Sequence, residues 1–132
     1  MSRASGADRQ AGAAVVEFVL VSVLVLALFL LVLQVGLVLH VRNVLVASAA
    51  EGARYGANAD RTPEDGVERA RSVVAQALSR AVADRLSFTA GRTSVDGAPV
   101  VEITVSGPLP IAFLPAGPLS ITVHGHALEE SR

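Results

Sequence analysis

The sequence predicts an α+β protein: a long N-terminal transmembrane helix followed by a small head with one amphipathic helix packed on a three-stranded antiparallel sheet. Three observations carry this. From Phe18 to Leu39 no ionisable group occurs. A helix-start motif, Thr62-Pro63-Glu64-Asp65, opens a stretch of three- and four-residue apolar spacing. After Leu86 the pattern changes to strict alternation around an Asp96-Gly97 dipeptide.

The apolar stretch spans about 22 residues, and at about 1.5 Å of rise each it reaches about 33 Å, enough to cross the hydrocarbon core of a bilayer. Glu17 is the one charge between Gly12 and His40, directly before the run. Met1 to Ala11 is polar, carries Arg3 and Arg9, and reads as a flexible leader without a core. The run is too long for an ordinary signal peptide, although Ala47-Ser48-Ala49 offers a superficial cleavage site downstream. Arg3 and Arg9 before the span balance Arg42 and Arg54 after it, so charge does not set orientation. The folding portion lies entirely after the helix, and this favours a cytoplasmic N-terminus with the head outside.

Beyond the span, Val44 to Tyr55 continues as helix into water. Ala47, Ser48, Ala49, Ala50, Gly52, Ala53, Gly56 and Ala57 are small enough either to let another backbone approach closely or simply to form an alanine-rich helix end. Gln34 and Gly36 interrupt the apolar surface. They are either a tolerated polar residue and its neighbour or a lateral helix-packing position.

At Thr62 the cap, the proline at the first helical position and the acid three residues after the cap together predict a second helix. Val67, Ala70, Val74, Ala77, Leu78, Ala81 and Val82 give it one apolar face and extend it to about Leu86. Leu86, Phe88 and Ala90 then begin a strand, Val101, Ile103 and Val105 mark a second, and Leu119, Ile121 and Val123 a third. Asp96-Gly97 is a hairpin signal between the first two. Gly107 to Pro118 contains four prolines and cannot be regular. Its Leu109, Ile111, Phe113 and Leu114 either cap the core or face a partner.

Composition excludes several classes of function. The 132 residues hold 11 basic and 12 acidic side chains, a net charge of −1, so nothing favours nucleic acid. No cysteine is present, which removes disulfides, thiolate catalysis and cysteine-ligated metals. His124-x-His126 places two imidazoles on one face of a strand, but the sequence offers no evident third ligand, and a solvated strand face is the expectation. No serine lies in a nucleophile motif and no glycines form a phosphate loop. The expectation is a non-catalytic chain without catalytic residues, metal, cofactor or small-molecule substrate.

The segment Gly12-Ala13-Ala14-Val15-Val16-Glu17-Phe18, leading into the apolar run and followed by Ala49-Ala50-Glu51-Gly52-Ala53-Arg54-Tyr55-Gly56-Ala57, resembles the TadE-like minor pilins of Tad (Flp) pilus systems. The resemblance covers Gly12 to Ala57; the head after Asp60 matches only in its general layout. It implies a leader of residues 1–12, a hydrophobic helix and extension over 13–57, and a head over 58–132. Cleavage by a prepilin peptidase would fall between Gly12 and Ala13. Glu17 and Phe18 would then act in processing and assembly, and Gln34, Gly36, Glu51, Gly52, Arg54 and Tyr55 in helix packing. The implied partners are the membrane, the peptidase, an inner-membrane assembly platform and other major or minor pilins. The alternative is an unprocessed single-pass protein whose head binds an envelope partner.

Overall fold

A computed structural model describes residues 4–109 and 119–131. The elements are α1 (Ala4–Ala57), α2 (Pro63–Ala77), α3 (Arg80–Arg85), β1 (Ser87–Val95), β2 (Ala98–Pro108) and β3 (Ser120–Leu128). Two compact units divide within α1, Met1–Gly36 and Leu37–Arg132.

In the first unit α1 is apolar on every side, and its large side chains stand open: Val15, Phe18, Leu24, Phe29 and Val32 are all more than half exposed. The helix begins at Ala4, so the described part of the polar leader is helical rather than irregular. Ala7, Arg9, Gln10 and Ala11 are good helix formers, and no proline interrupts them.

The second unit uses its share of α1 differently. From Val41 onward the buried residues recur every three or four positions: Val41, Leu45, Ser48, Ala49, Gly52, Ala53, Gly56 and Ala57. That spacing is one helix face, and its small side chains bring backbones close. An added Cβ on Gly52 would lie 2.5 Å from the Gly66 carbonyl oxygen of α2, and one on Gly56 would lie 3.0 Å from the Thr62 carbonyl oxygen. The backbone admitted by the Gly52–Gly56 segment is therefore the chain's own α2.

Thr62 caps α2 reciprocally. Its N–H donates to Asp65 Oδ2 at 2.8 Å, and the Asp65 N–H donates to Thr62 Oγ1 at 3.2 Å. The backbone bond from Thr62, followed by its hydroxyl and more weakly the Arg61 charge, holds the Asp65 carboxyl below the usual aspartate range. A carboxyl with a lowered folded pKa adds stability above its unfolded pKa, and this is lost as pH falls through the folded value. Asp65→Asn is thus expected to flatten the acid limb of a stability–pH curve below about pH 4 and leave its neutral shape unchanged, as followed by circular dichroism melts.

The helix anticipated to run to Leu86 stops at Ala77. Leu78 takes φ −113° and ψ −82°, and Ser79 starts α3 by accepting a 3.1 Å hydrogen bond from the Val82 N–H. A serine hydroxyl competes well for free amides at a helix start, and here it resets the helical phase. Ala83 is consequently buried, while Ala77 and Ala81 face outward.

The sheet has the order β1-β2-β3, antiparallel throughout. Asp96 and Gly97 join β1 to β2 with φ of 51° and 82°, the doubly left-handed turn whose twist matches the strands. Phe88, Val101, Ile103, Val105 and Val123 point inward to a core shared with Leu45, Ala49, Ala53, Ala70, Val74 and Ala83. Gly125 comes so close to the backbone of Ala49 and Ala50 that a Cβ there would collide with it. The anticipated third strand begins at Ser120, leaving Leu119 exposed, and the Leu119 carbonyl accepts from the Leu109 N–H at 2.8 Å. Leu109 packs against the core, whereas Ile111, Phe113 and Leu114 lie outside the described residues. The Glu130 N–H donates to the Ala57 carbonyl at 2.9 Å, satisfying one of the free acceptors at the end of α1.

Candidate functional site: the apolar helix and its two flanking motifs

Gly12, Ala13, Glu17 and Phe18 all lie on α1 and are exposed. A Cβ added at Gly12 would meet nothing within 4 Å, so the chain is approachable there from outside. Ala13 and Glu17 are four residues apart, one turn along the same helix face. Glu17 has no ion-pair partner among the described residues. Phe18 is 73% exposed, and its carbonyl accepts a 2.8 Å hydrogen bond from Ser22 Oγ, which satisfies that hydroxyl within the apolar run. α1 is long and apolar enough to cross a membrane by length and composition.

Gln34 and Gly36 are placed in contrasting surroundings. The Gln34 side chain is only 5% exposed, and neither its amide nitrogen nor its oxygen has a hydrogen-bond partner among the described residues. Gly36 has open space where a Cβ would stand.

The second motif is drawn together by α2. Glu51 Oε1 lies 3.2 Å from Arg69 Nη2, and Glu51 Oε2 lies 3.7 Å from Arg54 Nη2. The Tyr55 ring has the Arg61 guanidinium 4.8 Å from its centroid and that of Arg69 5.9 Å away. Arg69 therefore serves Glu51 and Tyr55 together, while Gly52 supplies the close backbone contact between them. The charged groups are well exposed, so each ion pair contributes little by itself, about 0–1 kcal/mol. The burial beside Gly52 holds the helices together. Arg54 is the most open member, with 67% of its side chain exposed.

Gly66 and Gly125 were not among the residues expected to pack closely, yet both had a signal. Gly66 falls on the buried stripe Pro63, Gly66, Ala70, Val74, and Gly125 takes an inward position two residues after Val123. Glu102 was also missed as a neighbour of the two histidines, because only the strand register places it opposite His126.

Among the described residues no three His, Cys, Asp or Glu side chains already converge as a set of metal ligands. The polar hollow of about 300 Å³ lined by Tyr55, Arg61, Asp65, Glu68, Arg69 and Ser72 mixes acids and arginines, without a nucleophile–base pair.

No curated protein and no solved structure matches the chain. Residues 12–54 match the family described as TadE-like protein. The match opens at Gly12, takes in Glu17, Phe18 and the apolar run, and ends at Arg54. It thereby joins both flanking motifs to the helix between them. Over residues 12–54 this chain is a member of the TadE-like family, and its long apolar helix is of the kind that anchors a protein by a single pass through a membrane.

Proposed function

We propose that the chain is a TadE-like minor pilin or pseudopilin, inserted in the inner membrane as a prepilin, cut after Gly12, and used in assembling a Tad-type pilus. The observation that carries this reading is the order of features inside one family match: Gly12, Glu17-Phe18, an apolar helix exposed on all sides, and the Glu51–Tyr55 segment.

The chemistry of each part fits the role. Gly12 lacks a Cβ, so a membrane peptidase can approach its backbone closely. Cleavage would free an α-amine on Ala13, one turn from the Glu17 carboxylate. A carboxylate at the edge of a membrane helix is costly unless it reaches water, protonates or finds a partner. Pairing Glu17 with the new amine of an adjacent subunit removes that cost and fixes the axial register of one helix against the next. Losing one partner would leave an uncompensated charge. Phe18, Leu24, Phe29 and Val32 then meet lipid before assembly and neighbouring helices after it. Lipid-tail and protein surroundings are both apolar, so packing and polar pairing decide the transfer.

In this reading the N-terminus is cytoplasmic and the head extracytoplasmic, and the chain binds the prepilin peptidase, the assembly platform and other major or minor pilins. It is a non-catalytic component without cofactor. A strain lacking the chain is expected to lose surface pili and to recover them on complementation, as counted by electron microscopy. Normal piliation without the chain would exclude the assembly role and leave an accessory membrane protein.

A further inference from the structure

The outward face of the sheet carries a polar cluster that the pilin reading does not use. Side chains alternate along a strand, so His124 and His126 emerge on the same side of β3, opposite to the side that Val123 and Gly125 give to the core. Register sets Thr104 against His124 and Glu102 against His126. His126 Nε2 lies 2.6 Å from Glu102 Oε2, and His124 Nδ1 lies 3.0 Å from Thr104 Oγ1 and 4.0 Å from Glu102 Oε1. The imidazoles stack with centroids 6.4 Å apart and planes inclined by 28°. Both rings are about half exposed, at 50% and 47%, so solvent reaches them. On the other flank of Glu102 the register partner in β1 is Gly91, which has no side chain to crowd the carboxylate. Among the described residues Glu102 makes no ion pair with an arginine; its charged neighbours are the two histidines.

We propose that Glu102, His124 and His126 form a binding site for a divalent first-row transition metal, Zn²⁺ above all, with water completing the coordination. Two neutral imidazoles and one carboxylate are a donor set that zinc accepts in open sites. With Zn–N bonds of about 2.0–2.1 Å, the ring centroids of two tetrahedral ligands stand about 5.2 Å apart. The observed 6.4 Å therefore has to close by about 1 Å. Half-exposed side chains can close it by small rotations within their rotamer wells. Without a cation, Glu102 and His126 satisfy one another through a shared proton, and this holds the three donors short of convergence. Binding replaces that proton at His126 Nε2 with the metal and releases it to solvent. His124 turns Nδ1 from Thr104 toward the ion. The bound metal joins β2 to β3 across their outer face, independently of any step in processing or assembly.

The experiment uses the untagged full-length chain in detergent micelles, stripped with a chelator and titrated with ZnCl₂ by calorimetry at neutral pH. One saturable ion per chain is expected, with the melting temperature rising as zinc is added. Glu102→Gln is expected to weaken binding about tenfold or more, and the double variant His124→Ala, His126→Ala to abolish both binding and the thermal shift. His40→Ala, with its histidine outside the cluster, leaves both unchanged. His124→Gln with His126→Asn repeats the test with polar side chains, should the alanine variant fail to give the native circular dichroism spectrum. Absence of saturable binding to the wild type, or binding undiminished in a folded double variant, overturns the site.

Discussion

Gly125→Ala is expected to destabilise the head by about 2–3 kcal/mol, near the upper end for added bulk in a packed core, and Gly125→Val by more. For a unit of this size that corresponds to a fall in melting temperature of about 10 °C or more. The reason lies in what the new methyl would meet. Gly125 is opposite Ile103 on the inner side of β3, and a Cβ there would run into the carbonyl group of Ala49 and the amide nitrogen of Ala50. A flexible side chain could turn away, but a helix backbone cannot yield without moving α1 off the sheet. Gly91→Ala is the matched control, since nothing lies within 4 Å of its added Cβ, and its effect should stay within about 0.5 kcal/mol. Thermal melts of both variants by circular dichroism decide the matter. If Gly125→Ala melts with the wild type, β3 does not lie on α1 as described.

Glu17→Ala is expected to leave cleavage after Gly12 intact and to reduce incorporation into pili a hundredfold or more. Removing one member of a pair held in an apolar setting commonly costs about 3–5 kcal/mol, because the other charge is stranded. Here the stranded group would be the α-amine of a neighbouring subunit. Glu17→Gln keeps the size and hydrogen-bonding capacity of the side chain without its charge, so its defect measures the charge itself. The readout is the amount of the chain in sheared pilus fractions relative to membranes. Normal assembly of Glu17→Ala would sink the register mechanism while leaving the head and its stability untouched.

Most of the head could be read locally. Thr62 and Asp65 announce α2, Asp96-Gly97 announces the turn, and the alternation around Ile103 announces its strand, because each of these signals acts within a few residues. The break at Leu78 and Ser79 was hidden, since the apolar spacing continues through it and only the serine hydroxyl betrays a second cap. The small-residue surface of α1 was visible as a surface, but not its occupant. That Gly52 meets Gly66 depends on the path of the chain between two helices, which periodicity does not encode. The His124–Glu102–His126 cluster was half legible for the same reason: spacing pairs the histidines, and only register supplies the acid. In the candidate site, Gly12, Glu17 and Phe18 were legible because a short motif before an apolar run is a local pattern. The role of Arg69 in bridging Glu51 and Tyr55 was not, being a contact across 18 residues of sequence.

These separate findings meet in α1, whose second half is a core element of the head and whose first half is apolar without a covered face. A helix built in this way suits a subunit that is held in a membrane and later packed against its own kind. The central claim is that this helix begins, in the mature protein, at Ala13. Intact mass spectrometry of the chain purified from cells with and without the prepilin peptidase tests it most directly. The account predicts a chain starting at Ala13 when the peptidase is present and one retaining Met1 to Gly12 when it is absent. A chain that keeps Met1 to Gly12 in the presence of an active peptidase would contradict it.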